Sequence, residues 1–223
     1  MAIILKLKNI TKEFFEPRRN IIALNNINVD LSEGECVGLL GPSGSGKTTL
    51  LQIAGLLDSP TRGEIFIDGN NCNNLSQESR NLMRKKNIGF IYQNFYLLDS
   101  FSALENVIIP QLINGERFSN AKKKALDLLN NLGLSKRLNN KPRELSGGEK
   151  QRVAISRAIA NKPKIVLADE PTGNLDKKNS LLVFNIIQDL VKKYNISFII
   201  ATHNLSITKK FDKVINLSEG KIV

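Results

Sequence analysis

The chain has 223 residues and a formal net charge of +11, and 41% of its residues are hydrophobic. This composition is that of an ordinary globular protein: no apolar run approaches the roughly 20 residues of a membrane-spanning helix, and two cysteines are too few for a disulfide framework. Basic chains suit nucleic acid or acidic membrane surfaces, but the lysines are spread along the sequence and only 6% of residues are aromatic, so we expect mostly solvated faces and no nucleic-acid partner.

The first residues alternate between apolar and charged from Ile3 to Lys8, which is typical of a strand and not of a signal peptide. We therefore expect the protein to stay in the cytoplasm. Antiparallel strands are predicted near the N-terminus over Ile4–Lys8, Ala23–Leu31 and Gly63–Ile67. An apolar strand over Glu35–Leu40 then leads into the most informative segment of the chain.

That segment reads Gly41-Pro42-Ser43-Gly44-Ser45-Gly46-Lys47-Thr48, the G-x-x-x-x-G-K-T pattern of a phosphate-binding loop. Its glycines let backbone N–H groups surround an anion, Lys47 reaches the β- and γ-phosphates, and the Thr48 hydroxyl binds Mg²⁺. A helix predicted over Lys47–Ala54 carries Thr49 in its first turn and points its N-terminus at the phosphates. The sequence therefore predicts a nucleotide site with Mg²⁺.

The rest of the chain alternates strands with helices, which indicates an α/β fold with a mostly parallel sheet. The region from Ala103 to Gly133 is predicted to be mostly helical, with Ser119 as a helix N-cap. Further helices are predicted over Ser146–Ala160 and Lys177–Tyr194, and further strands over Ile88–Tyr92, Lys164–Ala168, Phe198–Thr202 and Lys213–Leu217. We expect a single domain over residues 1–223, in which 1–94 and 161–223 form a catalytic core with an N-terminal β subdomain and 95–160 form an inserted helical lobe.

Two acidic residues, Asp169 and Glu170, directly follow the apolar strand Lys164–Ala168. A buried strand beside a phosphate loop holds Asp169 at the carboxyl edge of the sheet, where it can contact Mg²⁺ through water. Glu170 is then placed to polarise an attacking water as a general base. The alternative is that both carboxylates only cap the next helix.

A second glycine-rich run, Leu145-Ser146-Gly147-Gly148-Glu149, opens a predicted helix whose free N–H groups can bind an anion. Together with the following Lys150–Ile155, it resembles the signature sequence of the ABC-transporter ATPases. The resemblance extends over nearly the whole chain and implies ATP as the nucleotide, with Mg²⁺. It also implies a homodimer in which Ser146, Gly147 and Gly148 of one subunit close over the ATP held by the phosphate loop of the other.

The same resemblance implies roles for four further positions. His203 corresponds to the switch histidine that contacts the γ-phosphate and orients water, and Gln93 to the glutamine that touches Mg²⁺ and links the core to the lobe. Asp176, after Asn174 and Leu175, matches the loop that couples the two active sites. Phe14 aligns with the aromatic residue that stacks on adenine, although Phe15 is a second candidate and either ring could belong to the core.

Within the family, the segments Gly89–Gln93, Ala103–Val107 and Ala168–Asp176 resemble the lipoprotein-releasing, macrolide-efflux and cell-division ATPases. The segment Phe15–Leu24 is long for the cell-division type, and the macrolide type is usually fused to its membrane domain, whereas this sequence ends at Val223. The lipoprotein-releasing type is therefore the closest resemblance.

The lipoprotein-releasing type implies two integral membrane permease subunits, and a peripheral position on the cytoplasmic face of a bacterial inner membrane. It also implies ATP hydrolysis that powers the release of lipoproteins toward the outer membrane. The alternatives are the ATPase of a related efflux or export system and a regulatory ATPase of cell division.

Overall fold

The computed structural model describes residues 2–16 and 19–223, so that Pro17 and Arg18 of the segment Phe15–Leu24 lie outside the described residues. The strands are β1 (Ile3–Glu16), β2 (Arg19–Ser32), β3 (Cys36–Leu40), β4 (Arg62–Ile67), β5 (Asn70–Asn71), β6 (Ile88–Tyr92), β7 (Ile165–Asp169), β8 (Ser197–Thr202), β9 (Lys213–Ser218) and β10 (Lys221–Ile222). The helices are α1 (Lys47–Ala54), α2 (Gln77–Asn87), α3 (Ala103–Ile113), α4 (Phe118–Asn131), α5 (Gly147–Ile159) and α6 (Lys177–Tyr194). None of the described helices combines the length and the apolar character needed to cross a membrane.

Two sheets form the core of the fold. The N-terminal strands make an antiparallel sheet in the order β2-β1-β4-β5, and the central sheet has the order β10-β9-β3-β8-β7-β6. In the central sheet, β9, β3, β8, β7 and β6 run parallel, and only β10 pairs antiparallel with its neighbour. This confirms the predicted α/β class with an antiparallel β subdomain at the N-terminus.

The central strands are apolar on both faces because each face is covered. Leu167 and Ile199 point into the cluster shared with α1 and the antiparallel sheet. Their chain neighbours Val166 and Ile200 point to the opposite face, where they pack with the cluster that includes Phe184 of α6. This alternation explains why β7 and β8 read as continuous apolar runs, as strands buried on both faces do.

A third apolar cluster holds the inserted helices together and is built mainly from α3, α4 and α5. Its members include Val107, Ala125, Leu129 and Val153, all fully buried. The helix α5 therefore contributes to two apolar clusters, since Val153 belongs to the third and Ile155 and Ile159 belong to the second.

The structure departs from the sequence prediction in the greater length of β1 and β2, in the unpredicted short strands β5 and β10, and at two helices. The prediction that Ser119 caps a helix is wrong: α4 begins at Phe118, Arg117 is its N-cap, and no side chain caps it. The sequence does not predict α2, because Asn87 is its only buried residue and the 3.6-residue apolar repeat is missing.

The stability of the second cluster depends on Phe184, whose ring is fully buried and meets the ring of Phe211 edge to face at 5.2 Å. We expect Phe184→Ala to lower the free energy of unfolding by about 3–5 kcal/mol, because the cavity cannot close fully. Leu181→Ala on the same helix is the matched control: its side chain is 49% exposed, and we expect a loss of about 0.5 kcal/mol or less. Urea unfolding without nucleotide measures both, and equal losses would contradict the assignment of this core.

Candidate active site

The loop Gly41–Thr48 follows β3 and turns into α1 with Gly46 at the N-cap, at a φ of 104°. The loop is packed against neighbouring backbone: a Cβ on Gly41 would lie 2.1 Å from the carbonyl oxygen of Leu217, and one on Gly46 would lie 2.6 Å from that of Ala23. Only glycine fits at these two positions. The buried Lys47 folds back over the loop and donates to the carbonyl oxygens of Gly41 (2.8 Å) and Pro42 (2.9 Å).

The chemistry of this loop fits a bound phosphate. The Ser45 hydroxyl is buried and has no hydrogen-bond partner within the described residues. A buried polar atom without a partner costs free energy that a ligand can recover. Since the loop ends at a helix N-terminus, where free N–H groups favour an anion, a phosphate supplies acceptors where the chain lacks them.

A hydroxyl and a carboxylate meet beside the loop. The Thr48 hydroxyl donates to Oδ2 of Asp169 at 2.8 Å. Burial raises the pKa of Asp169 above its usual range, although the Thr48 hydrogen bond opposes this rise. Within residues 2–16 and 19–223, no three His, Cys, Asp or Glu residues form a metal-binding cluster. Mg²⁺ does not need one, because it binds through one or two carboxylates together with phosphate oxygens and water.

The next residue, Glu170, has a φ of 46°, which is uncommon for a residue other than glycine. Its N–H donates to the carbonyl oxygen of Ala201 at 2.9 Å, which holds this turn against β8. Its Oε1 lies 2.8 Å from Nδ1 of His203, and its Oε2 accepts from the Thr202 hydroxyl at 3.3 Å. The carboxylate is thus fixed by two side chains from the end of the adjacent strand.

Gln93 follows β6 and is held by the loop after Glu170. Its Nε2 donates to Oδ1 of Asn174 at 3.2 Å, while Nδ2 of Asn174 donates to the Gln93 carbonyl oxygen at 3.0 Å and to Oδ1 of Asn94 at 3.1 Å. Space around the amide is tight, because a Cβ on Gly173 would lie 2.9 Å from Nε2 of Gln93. Asn174 therefore sets the position of the Gln93 side chain.

These groups share one open cavity of about 760 Å³. Its lining includes predicted site residues from all four segments: Ser43, Gly44, Gly46, Lys47, Thr48 and Thr49 of the loop, with Gln93, Asp169, Glu170 and His203. Sequence reasoning missed a second wall, formed by Ile21, Ile22, Ala23, Glu219 and Gly220. Of these, only Gly220 could have been found from the sequence, as a glycine in a turn. In the structure its φ is 73°, and its N–H donates to the Ser45 carbonyl oxygen at 3.1 Å.

Phe14 lies at the edge of this cavity and does not line it. It pairs directly with Ile21, a lining residue, across the hairpin of β1 and β2. Residues directly opposite each other on antiparallel strands share a face, so that the Phe14 ring faces the same side as Ile21. The ring is 42% exposed, and Nζ of Lys12 lies 5.1 Å from its centroid. The exposed part of the Phe14 ring can stack on a base. Phe15, the second candidate, is 70% exposed.

The second glycine-rich turn lies elsewhere on the chain. Ser146 caps α5, with a capping box to Glu149, and a Cβ on Gly148 would lie 2.6 Å from Oδ1 of Asn179. Asp176 caps α6, and hydrogen bonds from Asn179 hold the pKa of its carboxyl below the usual range. Among the described residues, the lining of the phosphate-loop cavity does not include Ser146, Gly147, Gly148 or Asp176. A single chain therefore does not bring its two glycine-rich turns into one cavity.

A phosphate loop at the carboxyl edge of a parallel sheet, with two carboxylates on the adjacent strand end, defines a P-loop nucleotide-binding protein of the α/β class. A family model described as "ABC transporter" matches residues 24–173, and the chain belongs to this family. Its class is thus that of the ABC-type ATPases.

Relatives with curated descriptions match over almost their whole length. The lipoprotein-releasing system ATP-binding protein LolD 1 of Rhodospirillum rubrum is 47% identical, with 98% of this chain and 97% of the relative covered. LolD of Rickettsia bellii has the same identity and coverage. An uncharacterized ABC transporter ATP-binding protein of Methanocaldococcus jannaschii, MJ1508, is 46% identical with the same coverage. All three descriptions name an ATP-binding protein.

Solved structures of the ATP-binding cassette MJ0796 resemble the whole fold. One is a dimer in a post-hydrolysis state with ADP and Pi bound, and it superimposes with a TM-score of 0.90 at 39% identity, covering 98% of this chain and 96% of that one. A second dimeric structure of MJ0796 gives the same TM-score at 40% identity.

The turn that begins α5 is held by an ion pair that titrates. Nε of Arg137 lies 2.7 Å from Oε1 of Glu149, and this hydrogen bond is the main reason why the pKa of Glu149 falls to about 2. Since the unfolded carboxyl has a pKa near 4.3, the pair stabilises the fold above about pH 4.3, and its contribution is lost as the pH falls toward 2.

We expect Glu149→Gln to lower the free energy of unfolding by less than about 1 kcal/mol at pH 7, because the pair is partly screened by water. The Gln side chain preserves the capping box, so that the variant removes only the charge. The difference from the parent should shrink as the pH falls from 5 toward 2, as measured by urea unfolding across this range. A difference that stays constant with pH would contradict the ion-pair assignment.

Proposed function

We propose that this chain is the ATP-hydrolysing subunit of a lipoprotein-releasing ABC complex at the cytoplasmic face of a bacterial inner membrane. The observation that carries the chemistry is the cavity in which Lys47, Thr48, Asp169, Glu170 and His203 meet. The observation that supports lipoproteins as the cargo is the sequence identity to LolD proteins over nearly the whole chain.

In this proposal the phosphate loop holds the β- and γ-phosphates of ATP, and Lys47 leaves its loop carbonyls to reach them. Thr48, Asp169 and Gln93 would hold Mg²⁺, which would neutralise phosphate charge. Phe14 stacks on adenine. The loop, the helix N-terminus and Lys47 then act as fixed donors toward the charge that develops during phosphoryl transfer.

Glu170 is the proposed general base, and His203 orients its carboxylate and the attacking water. The supporting geometry is the contact of 2.8 Å between Nδ1 of His203 and Oε1 of Glu170. When water attacks the γ-phosphorus, Glu170 accepts the proton and the bond to the bridging oxygen of ADP breaks. The strained φ of Glu170 directs its carboxylate into the cavity. Strain of this kind is expected where a functional role maintains an unfavourable backbone conformation.

The second copy of the chain completes the site in this proposal. Ser146, Gly147 and Gly148 begin a helix whose free N–H groups favour an anion, and they lie outside the chain's own cavity. In a symmetric dimer each of these turns closes over the ATP of the other subunit, with Asp176 near the boundary. ATP then binds the closed dimer preferentially and shifts the population toward it. The dimeric structures of MJ0796, one of them with ADP and Pi bound, support a dimer of this chain.

The membrane partner in this proposal consists of two permease subunits. The chain would attach to the membrane only through them, so that it is a peripheral protein. The ATPase of another ABC transporter is the second candidate, because MJ1508, an uncharacterized ABC transporter ATP-binding protein, is 46% identical over the same share of this chain.

The role of Glu170 predicts the behaviour of Glu170→Gln. We expect turnover to fall by about 100-fold or more, because the general base is lost. ATP binding should persist, and the variant should accumulate as a dimer with ATP. Phosphate release and size-exclusion chromatography with multi-angle light scattering measure these effects.

Two variants serve as controls for Glu170→Gln. Glu78→Gln removes an exposed carboxylate of α2 and should leave turnover unchanged. Lys47→Ala should weaken ATP binding by about tenfold or more, because a charge-assisted contact is lost. Rapid hydrolysis by Glu170→Gln would remove Glu170 from the role of base, and unchanged ATP affinity of Lys47→Ala would count against the phosphate loop.

The cargo assignment predicts which proteins remain bound to the trapped Glu170→Gln subunit. Affinity purification in detergent with ATP should recover two membrane subunits with large periplasmic domains, together with outer-membrane lipoproteins, as identified by mass spectrometry. Lys47→Ala, which should not trap ATP, is the control. Recovery of a different permease or of a division-associated membrane protein would refute the lipoprotein assignment and leave the ATPase chemistry intact.

A further inference from the structure

A second open cavity, of about 870 Å³, adjoins the phosphate-loop cavity. We call it the rear cavity. Among the described lining residues the two cavities share only Glu170 and His203, so this pair lies between them. Thr202 lines the rear cavity and does not line the phosphate-loop cavity. It is therefore placed to act on the pair from the side opposite the nucleotide.

Thr202 is the last residue of β8, and only 1% of its surface is exposed. A threonine hydroxyl has one hydrogen to donate and two lone pairs that accept. Here it donates to Oε2 of Glu170 at 3.3 Å and accepts from the N–H of Asn204 at 3.1 Å. Because the residue is buried, water competes poorly for either partner, and both hydrogen bonds are retained.

The hydrogen bond from Asn204 closes a short turn around His203. A threonine hydroxyl that accepts from the N–H two residues later replaces a backbone contact and makes the turn compact. His203 is the residue between the two, and its Nδ1 lies 2.8 Å from Oε1 of Glu170. One hydroxyl thus fixes both the turn that carries His203 and the second oxygen of the Glu170 carboxylate.

The backbone of β8 holds Glu170 at a second point. The N–H of Glu170 donates to the carbonyl oxygen of Ala201, the residue before Thr202, at 2.9 Å. Glu170 has a φ of 46°, and such a conformation persists where the surrounding structure imposes it. Rotation of the carboxylate out of its present position would break the hydrogen bond from Thr202.

The geometry of this carboxylate matters for the reaction rate. The Glu170 side chain is only 14% exposed, so water replaces a lost partner poorly. Hydrogen bonds to an ionised carboxylate are about twice as strong as those between neutral groups. Displacement of a reacting group by about 1 Å can cost about 100-fold in rate. A group that keeps Glu170 in place therefore contributes to turnover without contacting the substrate.

We propose that Thr202 is a positioning residue for ATP hydrolysis, whose hydroxyl holds the Glu170 carboxylate and the turn of His203 in one arrangement. It acts through these two residues and contacts no part of ATP. This inference rests on the proposed function, which makes Glu170 the general base. The alternative is that Thr202 only fills space at the end of a buried strand.

Substitutions of Thr202 separate the hydroxyl from the packing. Thr202→Ser keeps the hydroxyl and loses the methyl group, Thr202→Val keeps the shape and loses the hydroxyl, and Thr202→Ala loses both. We expect kcat to fall about tenfold or more in the Val and Ala variants, and less than about threefold in the Ser variant. The KM for ATP should change by less than about twofold in all three. Phosphate release by the full chain measures both constants.

The matched control is Thr172→Val, the same substitution at a second buried threonine of the rear cavity. The Thr172 carbonyl oxygen accepts from Ser180, but its hydroxyl has no hydrogen-bond partner among the described residues. We expect its kcat to stay within about twofold of the parent, because no hydrogen bond is lost.

Three outcomes of these measurements would overturn the proposal. Equal losses of kcat in Thr172→Val and Thr202→Val would make the effect one of the cavity as a whole. An active Thr202→Val with a slow Thr202→Ser would assign the effect to the methyl group. Failure of Thr202→Val to bind a fluorescent ATP analogue would show that the side chain supports the fold or the nucleotide site, since valine suits a buried strand.

A second measurement asks whether Thr202 acts through Glu170. Single-turnover hydrolysis of radiolabelled ATP gives the residual rate of Glu170→Gln with and without Thr202→Val. Because the base is already absent, the second substitution should lower this rate by less than about twofold, which is the non-additivity expected of coupled residues. A further loss of about tenfold or more would show that Thr202 acts on another group, and the proposal would fail.

The same variants distinguish this inference from the proposed function. Turnover of Glu170→Gln at the rate of the parent would remove the general base, and the role of Thr202 with it. Loss of turnover in Glu170→Gln together with full activity of Thr202→Val would leave the general base in place and refute only the positioning role.

Discussion

The parallel register of the central sheet is the constraint on which the candidate site depends. Leu40 at the end of β3 pairs with Thr202, and Asp169 at the end of β7 pairs with Ala201 on one side and with Tyr92 on the other. The strand ends therefore stop at one level. The phosphate loop, both carboxylates, His203 and Gln93 emerge within a few residues of these pairs, and a slip by one residue would turn every side chain of the strand to the opposite face.

The cavity at this edge carries several features that cost stability when it holds no ligand. Asp169 is desolvated enough to raise its pKa, Glu170 has a strained φ, and the Ser45 hydroxyl is buried without a partner in the described chain. In the proposed complex, a bound phosphate and its cation would account for all three together, because they would supply an acceptor, a counter-charge and a target for the carboxylate.

Sequence reasoning reached the fold class because β7 and β8 read as unbroken apolar runs and because the phosphate loop can stand only between a strand and a helix. It named ten of the residues that line the cavity. The phosphate-loop and acidic residues came from motif spacing at strand ends, whereas Gln93 and His203 came from the family resemblance. Sequence reasoning missed Ile21–Ala23 and Glu219, which reach the cavity only through the long hairpin of β1 and β2 and the turn after β9. Contacts between distant segments leave no local pattern. For the same reason Asn174 gave no sign of its hydrogen bonds to Gln93, which lies 81 positions earlier.

The helix α5 connects the second glycine-rich turn to the loop after β6. It has 13 residues, so it is about 20 Å long and behaves as one rigid rod. Its first turn carries Ser146 and Lys150, and near its other end Arg157 grips the backbone of Phe95 and Tyr96. Those two residues follow Gln93 by only two and three positions. A displacement of this backbone would therefore have to move either α5 or the Gln93 side chain, so the Arg157 hydrogen bonds link the phosphate-loop cavity to the helix that begins at the second glycine-rich turn.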